Sequence, residues 1–153
     1  MNHYTISSED SRETVILKCV EIIFDLEAKK NGLTREEVID KYTHGLCSHL
    51  AQAIKDILDR CGKTGAKTEH FSVSASHDML TTGSTLKGDK LYFDICGQFD
   101  ETTIDEHLAS LTREVKFPHI YEQRHDLTCI NAMYNSIALD GQMLFGNNRT
   151  RKR

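Results

Sequence analysis

The strongest constraint on what this chain can fold into is a change of hydrophobic period between residues 46 and 96. Leu46, Leu50, Ala53, Ile54, Ile57, Leu58 and Cys61 recur at about 100° per residue and form one stripe along a helix from about Leu46 to Arg60. Gly62 ends it. After the small polar connection Lys63–Lys67, the pattern alternates, with Phe71, Val73 and Ala75 set against Ser72, Ser74 and Ser76, which is the period of a strand. The run His77–Thr82, a loop bracketed by Gly83 and Gly88, and the return Lys90–Cys96 predict an antiparallel hairpin. A striped helix and an alternating sheet each need an apolar surface to cover, and they supply it to one another.

The flanks extend this pattern. Val15, Ile16, Cys19, Val20, Ile23 and Phe24 predict a helix from Glu9 or Asp10 to about Lys30, stopped by Asn31-Gly32. Thr34-Arg35-Glu36-Glu37 is a capping box for a short helix to Asp40 or Lys41, with Tyr42–Gly45 as a loop beyond it. Thr102 or Thr103 caps a helix through Ile104, Leu108 and Leu111, which Phe117-Pro118 closes before a loop. A last helix is expected from about Asp126 to Leu139. The order of helices, strands and helices describes an α+β domain, with helices covering one face of a small antiparallel sheet. Residues 1–146 are read as one domain and residues 147–153 as a basic, frayed tail.

The balance of 19 basic and 23 acidic residues, a net charge of −4, excludes a global field for nucleic acid. Only the Arg149–Arg153 tail offers phosphate a local patch. Five cysteines, at 19, 47, 61, 96 and 129, are odd in number and scattered through apolar segments, which suits reduced thiols in the cytoplasm. Cys19, Cys61, Cys96 and Cys129 are read as packing residues. The first ten residues lack a signal peptide's pattern, and no apolar run approaches the roughly 20 residues of a membrane span, so no membrane partner is expected.

Cys47 differs from the other four. It heads the central helix, about 50° from the centre of its apolar stripe, where unpaired N–H groups and partial positive charge favour a thiolate and could bond an oxyanion. A nucleophilic cysteine needs a base, and that base needs a group to orient it. His77 and Asp94 are the candidates. If Thr82 pairs with Asp89 or Lys90, His77 falls opposite Asp94 or Ile95. His70, at the start of the preceding strand, competes with His77 as the base, and His44 is a third option in the loop before the helix. Asp94 sits in an apolar strand, where an unpaired charge is costly, so a partner is expected.

Two other chemistries fit less well. His44, Cys47 and His49 are zinc-type residues, but Cys47 and His49 face opposite sides of one helix, so neither a metal nor any other cofactor is expected. Gly83–Gly88 contains glycines and a lysine, yet it leads into a strand and reads as a turn, not a phosphate cradle.

Gly45-x-Cys47-x-x-Leu50-Ala51-x-Ala53-Ile54, the later strand residue His77, and Tyr92-Phe93-Asp94-x-x-Gly97 resemble the papain-like and transglutaminase-like superfamily of cysteine acyl-transfer enzymes over about residues 44–100. The resemblance implies a cysteine helix packed on an antiparallel sheet, with Cys47 as nucleophile, His77 as base and Asp94 as orienting acid. It also implies a protein or peptide-like substrate and a peptidase, amidase, deamidase or transglutaminase-like reaction. The run Cys-Gly-Ser-Cys-Trp of papain-like proteases is absent, and the chain has no tryptophan. The alternative is a non-catalytic binding or inhibitor protein on a degenerate version of the same fold.

Overall fold

The computed structural model describes residues 3–72, 76–112 and 114–146; the basic tail and the alternating residues Val73 and Ala75 lie outside the described residues. Strand β1 (Tyr4–Ile6) precedes helix α1 (Arg12–Asn31), where the Ser11 side chain accepts from the Thr14 N–H and Gly32 closes the last turn at φ 66°. Helix α2 (Arg35–Thr43) starts with the expected capping box. It continues through Tyr42 and Thr43 because two buried polar groups there find partners. Lys41 Nζ lies 2.7 Å from Glu27 Oε2 of α1, and the Tyr42 hydroxyl donates to that same oxygen at 2.7 Å. A buried cation and carboxylate that pair with each other favour one more helical turn over a loop that would separate them.

Helix α3 (Cys47–Arg60) carries the predicted stripe inward: Leu50, Ala53, Ile54, Ile57 and Leu58 are all buried. At about 1.5–3 kcal/mol for each fully buried large side chain, this stripe is what seats the helix. It packs on a four-stranded sheet of β2 (Lys67–Ser72), β3 (Ser76–Thr82), β4 (Leu91–Asp94) and β5 (Gly97–Asp100), antiparallel throughout in the order β2-β3-β4-β5. The hairpin register is Thr82 opposite Leu91, later than the Asp89 or Lys90 expected from the turn. The longer loop forms because Gly83, at φ 72°, approaches the Asp89 backbone so closely that a Cβ would lie 2.5 Å from its carbonyl oxygen, while the Asp89 carboxylate accepts the Ser84 N–H at 2.9 Å. Extending the observed register sets Asp94 level with Met79. His77 is therefore two residues off on the same face, within side-chain reach of Asp94.

Leu80 and Phe93 join the main core with α1, α2 and α3. Their neighbours Met79 and Tyr92 point to the other face, where they meet Ile104 and Leu108 of helix α4 (Ile104–Ser110), as alternation along a strand requires. The domain is α+β, with the larger helices on one face and α4 on the other.

Two later segments differ from expectation. A 3-10 helix with proline at its start occupies Pro118–His125, where a loop was expected; proline's fixed φ and missing N–H suit the first position of a helix. Helix α5 (Thr128–Ser136) stops short of Leu139. Ile137–Leu139 instead form β6, parallel to β1 with Tyr4 opposite Ile137, and β7 (Gln142–Met143) completes this second, three-stranded sheet. Long-range pairing with β1 gives these three residues backbone partners that a frayed helix end does not. Among the described residues, no helix is long and apolar enough to cross a membrane.

Candidate active site

The start of α3 is built differently from those of α1 and α2. Its N-cap position is Leu46, which makes no side-chain cap hydrogen bond, whereas Ser11 and Thr34 cap the other two. The first turn of α3 thus lacks the side-chain cap that the other two helices have. The preceding loop is held from two sides. The buried Asp40 carboxylate accepts the Lys116 and Phe117 N–H groups at 3.1 and 2.9 Å. His44 is clamped between Asp40, 2.9 Å from Nδ1, and the Thr112 carbonyl, 2.7 Å from Nε2. His44 therefore fastens the loop and has no ring nitrogen left over for a thiol. Gly45, at φ 132°, runs so close to the 3-10 helix that a Cβ would stand 2.9 Å from the Arg124 carbonyl oxygen, so glycine is required there.

Cys47, the first residue of α3, is half-buried. One side of it borders an apolar pit of about 10 Å³ lined by Val20, Leu50, Ile54, Leu80 and Phe93. On another side, its sulfur lies 4.0 Å from Asp78 Oδ2.

His77 is the imidazole beside this thiol. It is only 1% exposed, and its Nε2 lies 2.8 Å from Asp94 Oδ2. Nδ1 is buried and has no hydrogen-bond partner among the described residues, so it is the nitrogen left for Cys47. Burial alone would push the ring's pKa down, but the Asp94 hydrogen bond, and after it the neighbouring Cys47 sulfur, outweigh this and hold it at about 9.

Asp94 occupies the last position of β4. It pairs with Gly97 across a two-residue turn made by Ile95 and Cys96, which gives the Asp-x-x-Gly spacing a structural basis. The Asp94 Oδ1 atom accepts the Cys96 N–H at 2.8 Å. Its Oδ2 meets a second imidazole, His107 Nε2 of α4, at 2.6 Å, and the His107 ring stacks on Phe99 at 3.9 Å between centroids. Burial would raise the Asp94 pKa, but the hydrogen bonds of His107 and His77 hold it below the usual carboxylate value.

The structure thus brings Cys47, His77 and Asp94 together and leaves His70 aside. His70 Nδ1 is 3.0 Å from Asp78 Oδ1, with the His70 side chain 54% exposed. Cys19 and Cys129 are fully buried as expected, and Cys61 is half-buried. Cys96 was expected to pack, but it is exposed because it sits on the turn between β4 and β5. Sequence reasoning missed Asp78 and His107. The need of the buried Asp94 for partners was a signal toward His107, but nothing in the spacing placed α4 against β5.

His77, Asp94 and His107 are also the residues that could hold a cation, since one ligand atom from each lies within 4.8 Å of the other two. In the structure these atoms bond to one another through Asp94 Oδ2. No family model, curated protein or solved structure matches this chain.

Proposed function

We propose that this chain is a cysteine-dependent acyl-transfer enzyme acting on a protein or peptide-like substrate, with Cys47 as nucleophile, His77 as base and Asp94 as the group that orients it. The observation that carries the reading is the buried His77 ring, with one nitrogen on Asp94 at 2.8 Å and the other without a partner among the described residues, beside a thiol at an uncapped helix start. The resemblance of the Gly45–Ile54 and Tyr92–Gly97 segments to papain-like and transglutaminase-like enzymes points the same way. Five free cysteines suit a reducing, cytoplasmic setting.

In this reading, Cys47 reacts as the thiolate of a thiolate–imidazolium pair, its proton held on His77 Nδ1, and the sulfur attacks a carbonyl carbon. The carbonyl oxygen gains negative charge and is stabilised by the positive end of α3 and its Cys47 N–H group. Collapse expels the leaving amine, which takes the proton from His77, and a thioester remains on Cys47. Water or an acceptor amine then attacks the thioester, with His77, now neutral, as base, and the departing sulfur restores the starting pair. Asp94 fixes the ring with its free nitrogen toward the sulfur and stabilises the imidazolium, while His107 and the Cys96 N–H hold Asp94 itself.

The test is acylation by p-nitrophenyl acetate, with mass spectrometry locating the acetyl group. Wild type should release a burst of one p-nitrophenolate per chain and carry the acetyl on Cys47. Folded Cys47→Ala should show no burst. A burst of equal size from that variant overturns the reading.

A further inference from the structure

A groove along the loop that delivers Cys47 points to a substrate class. A surface groove of about 430 Å³ includes Gly45, two residues before Cys47, and Ser76, one before His77. Its other wall is the 3-10 helix, which contributes Tyr121, Arg124 and His125. Although the chain has a net charge of −4, no acidic side chain lines this groove among the described residues.

Arg124 is its focus. The guanidinium carbon sits over the Tyr121 ring, 3.9 Å from its centroid, and the group forms no ion pair with a carboxylate among the described residues. Stacking on an aromatic face leaves the N–H edge of a guanidinium free and restricts its rotation, the preparation that two-pronged carboxylate recognition needs. Tyr121 is itself 43% exposed, one of few large apolar side chains left open to water. The close approach of Gly45 to the Arg124 carbonyl ties the 3-10 helix to the loop that delivers Cys47, so the groove and the thiol share one rigid support. Asp78, on the thiol's other flank, pairs with His70 and does not line the groove.

We infer that this groove selects acidic peptides, with Arg124 binding the carboxylate of a glutamate or aspartate close to the carbonyl attacked and Tyr121 packing against its stem. The inference rests on the acyl-transfer reading and names the substrate class for it. Arg124 is a specificity residue, away from the reacting atoms.

The test uses the full chain and three peptidyl chloromethyl ketones that differ only in carrying Glu, Gln or Lys one or two positions before the reactive group. The readout is the rate of Cys47 alkylation, followed by mass spectrometry. Wild type should react with the Glu probe about tenfold faster than with the Gln probe, the size expected of a prepared charged hydrogen bond, and slowest with Lys. Arg124→Gln should bring the Glu:Gln ratio near one, and Arg124→Lys should keep part of it; circular dichroism checks that both variants fold. A wild-type ratio near one, or a ratio that Arg124→Gln leaves unchanged, overturns the inference. A separate arm measures binding of the matching Glu and Gln peptide amides to Cys47→Ala by calorimetry. Selective binding there, with no alkylation of the wild-type thiol, would defeat the acyl-transfer reading and keep the groove assignment. Alkylation without charge selection would do the opposite.

Discussion

Two histidine–aspartate pairs flank the same sulfur, and they differ mainly in their access to water. His77–Asp94 spans 2.8 Å with side chains 1% and 3% exposed. His70–Asp78 spans 3.0 Å with side chains 54% and 28% exposed. Almost equal lengths therefore go with different consequences. Water and salt screen the exposed pair, for which about 0–1 kcal/mol is typical. Inside the protein the carboxylate acts at full strength on a ring that cannot find water instead, and His77 is held at about 9 despite its burial. What surrounds an imidazole decides how strongly it holds its proton, and distance to a carboxylate alone does not.

The sharpest way to break this contrast is to delete each imidazole in turn. His77→Ala should slow acylation of Cys47 by about 10²–10⁴-fold, the usual worth of a positioned base. His70→Ala should alter the rate by less than about threefold, since an exposed pair carries little energy. Equal losses in the p-nitrophenyl acetate assay would mean that both pairs serve the thiol.

Next in size is the cost of removing each carboxylate's charge, read from urea unfolding at neutral pH. Asp94→Asn takes the charged partner from two buried imidazoles and should destabilise the fold by about 3–5 kcal/mol. Asp78→Asn should cost no more than about 1 kcal/mol.

A pH series sharpens the comparison further. Because the His77 pKa is raised from 6.5 to about 9 in the folded chain, its contribution to stability is fully present below pH 6.5. It is lost as the pH rises through about 9. Urea midpoints for wild type should fall across that window, and Asp94→Asn should flatten the fall. A slope unchanged in Asp94→Asn would show that the buried carboxylate is not its source.

Salt gives the smallest effect. Near 1 M NaCl, where charges are screened beyond about 3 Å, the difference between wild type and Asp78→Asn should disappear while the Asp94→Asn penalty persists. Loss of both differences would mean that water reaches the inner pair.

Much of this was legible in the sequence because it depends on near neighbours. The stripe from Leu50 to Leu58, the Thr34 capping box and the hairpin strands are set by local periodicity and by side chains three or four residues apart. Cys47 at the head of α3 follows from the same reasoning, and Asp94 announced itself as a charge in an apolar strand. The register was harder to read. The Gly83–Asp89 contact moved the pairing by one or two residues, and the site survived because His77 and Asp94 still share a face.

The sequence alone determined that a striped helix with a cysteine at its head would lie on an alternating sheet, since period and chain direction are local properties. Only the tertiary structure decided that Ile137–Leu139 would pair with Tyr4–Ile6, that His107 would join Asp94 and that His44 would serve as a clamp. Each of those outcomes depends on a partner far along the chain, whose position is set when distant surfaces bury each other and their polar groups must be satisfied.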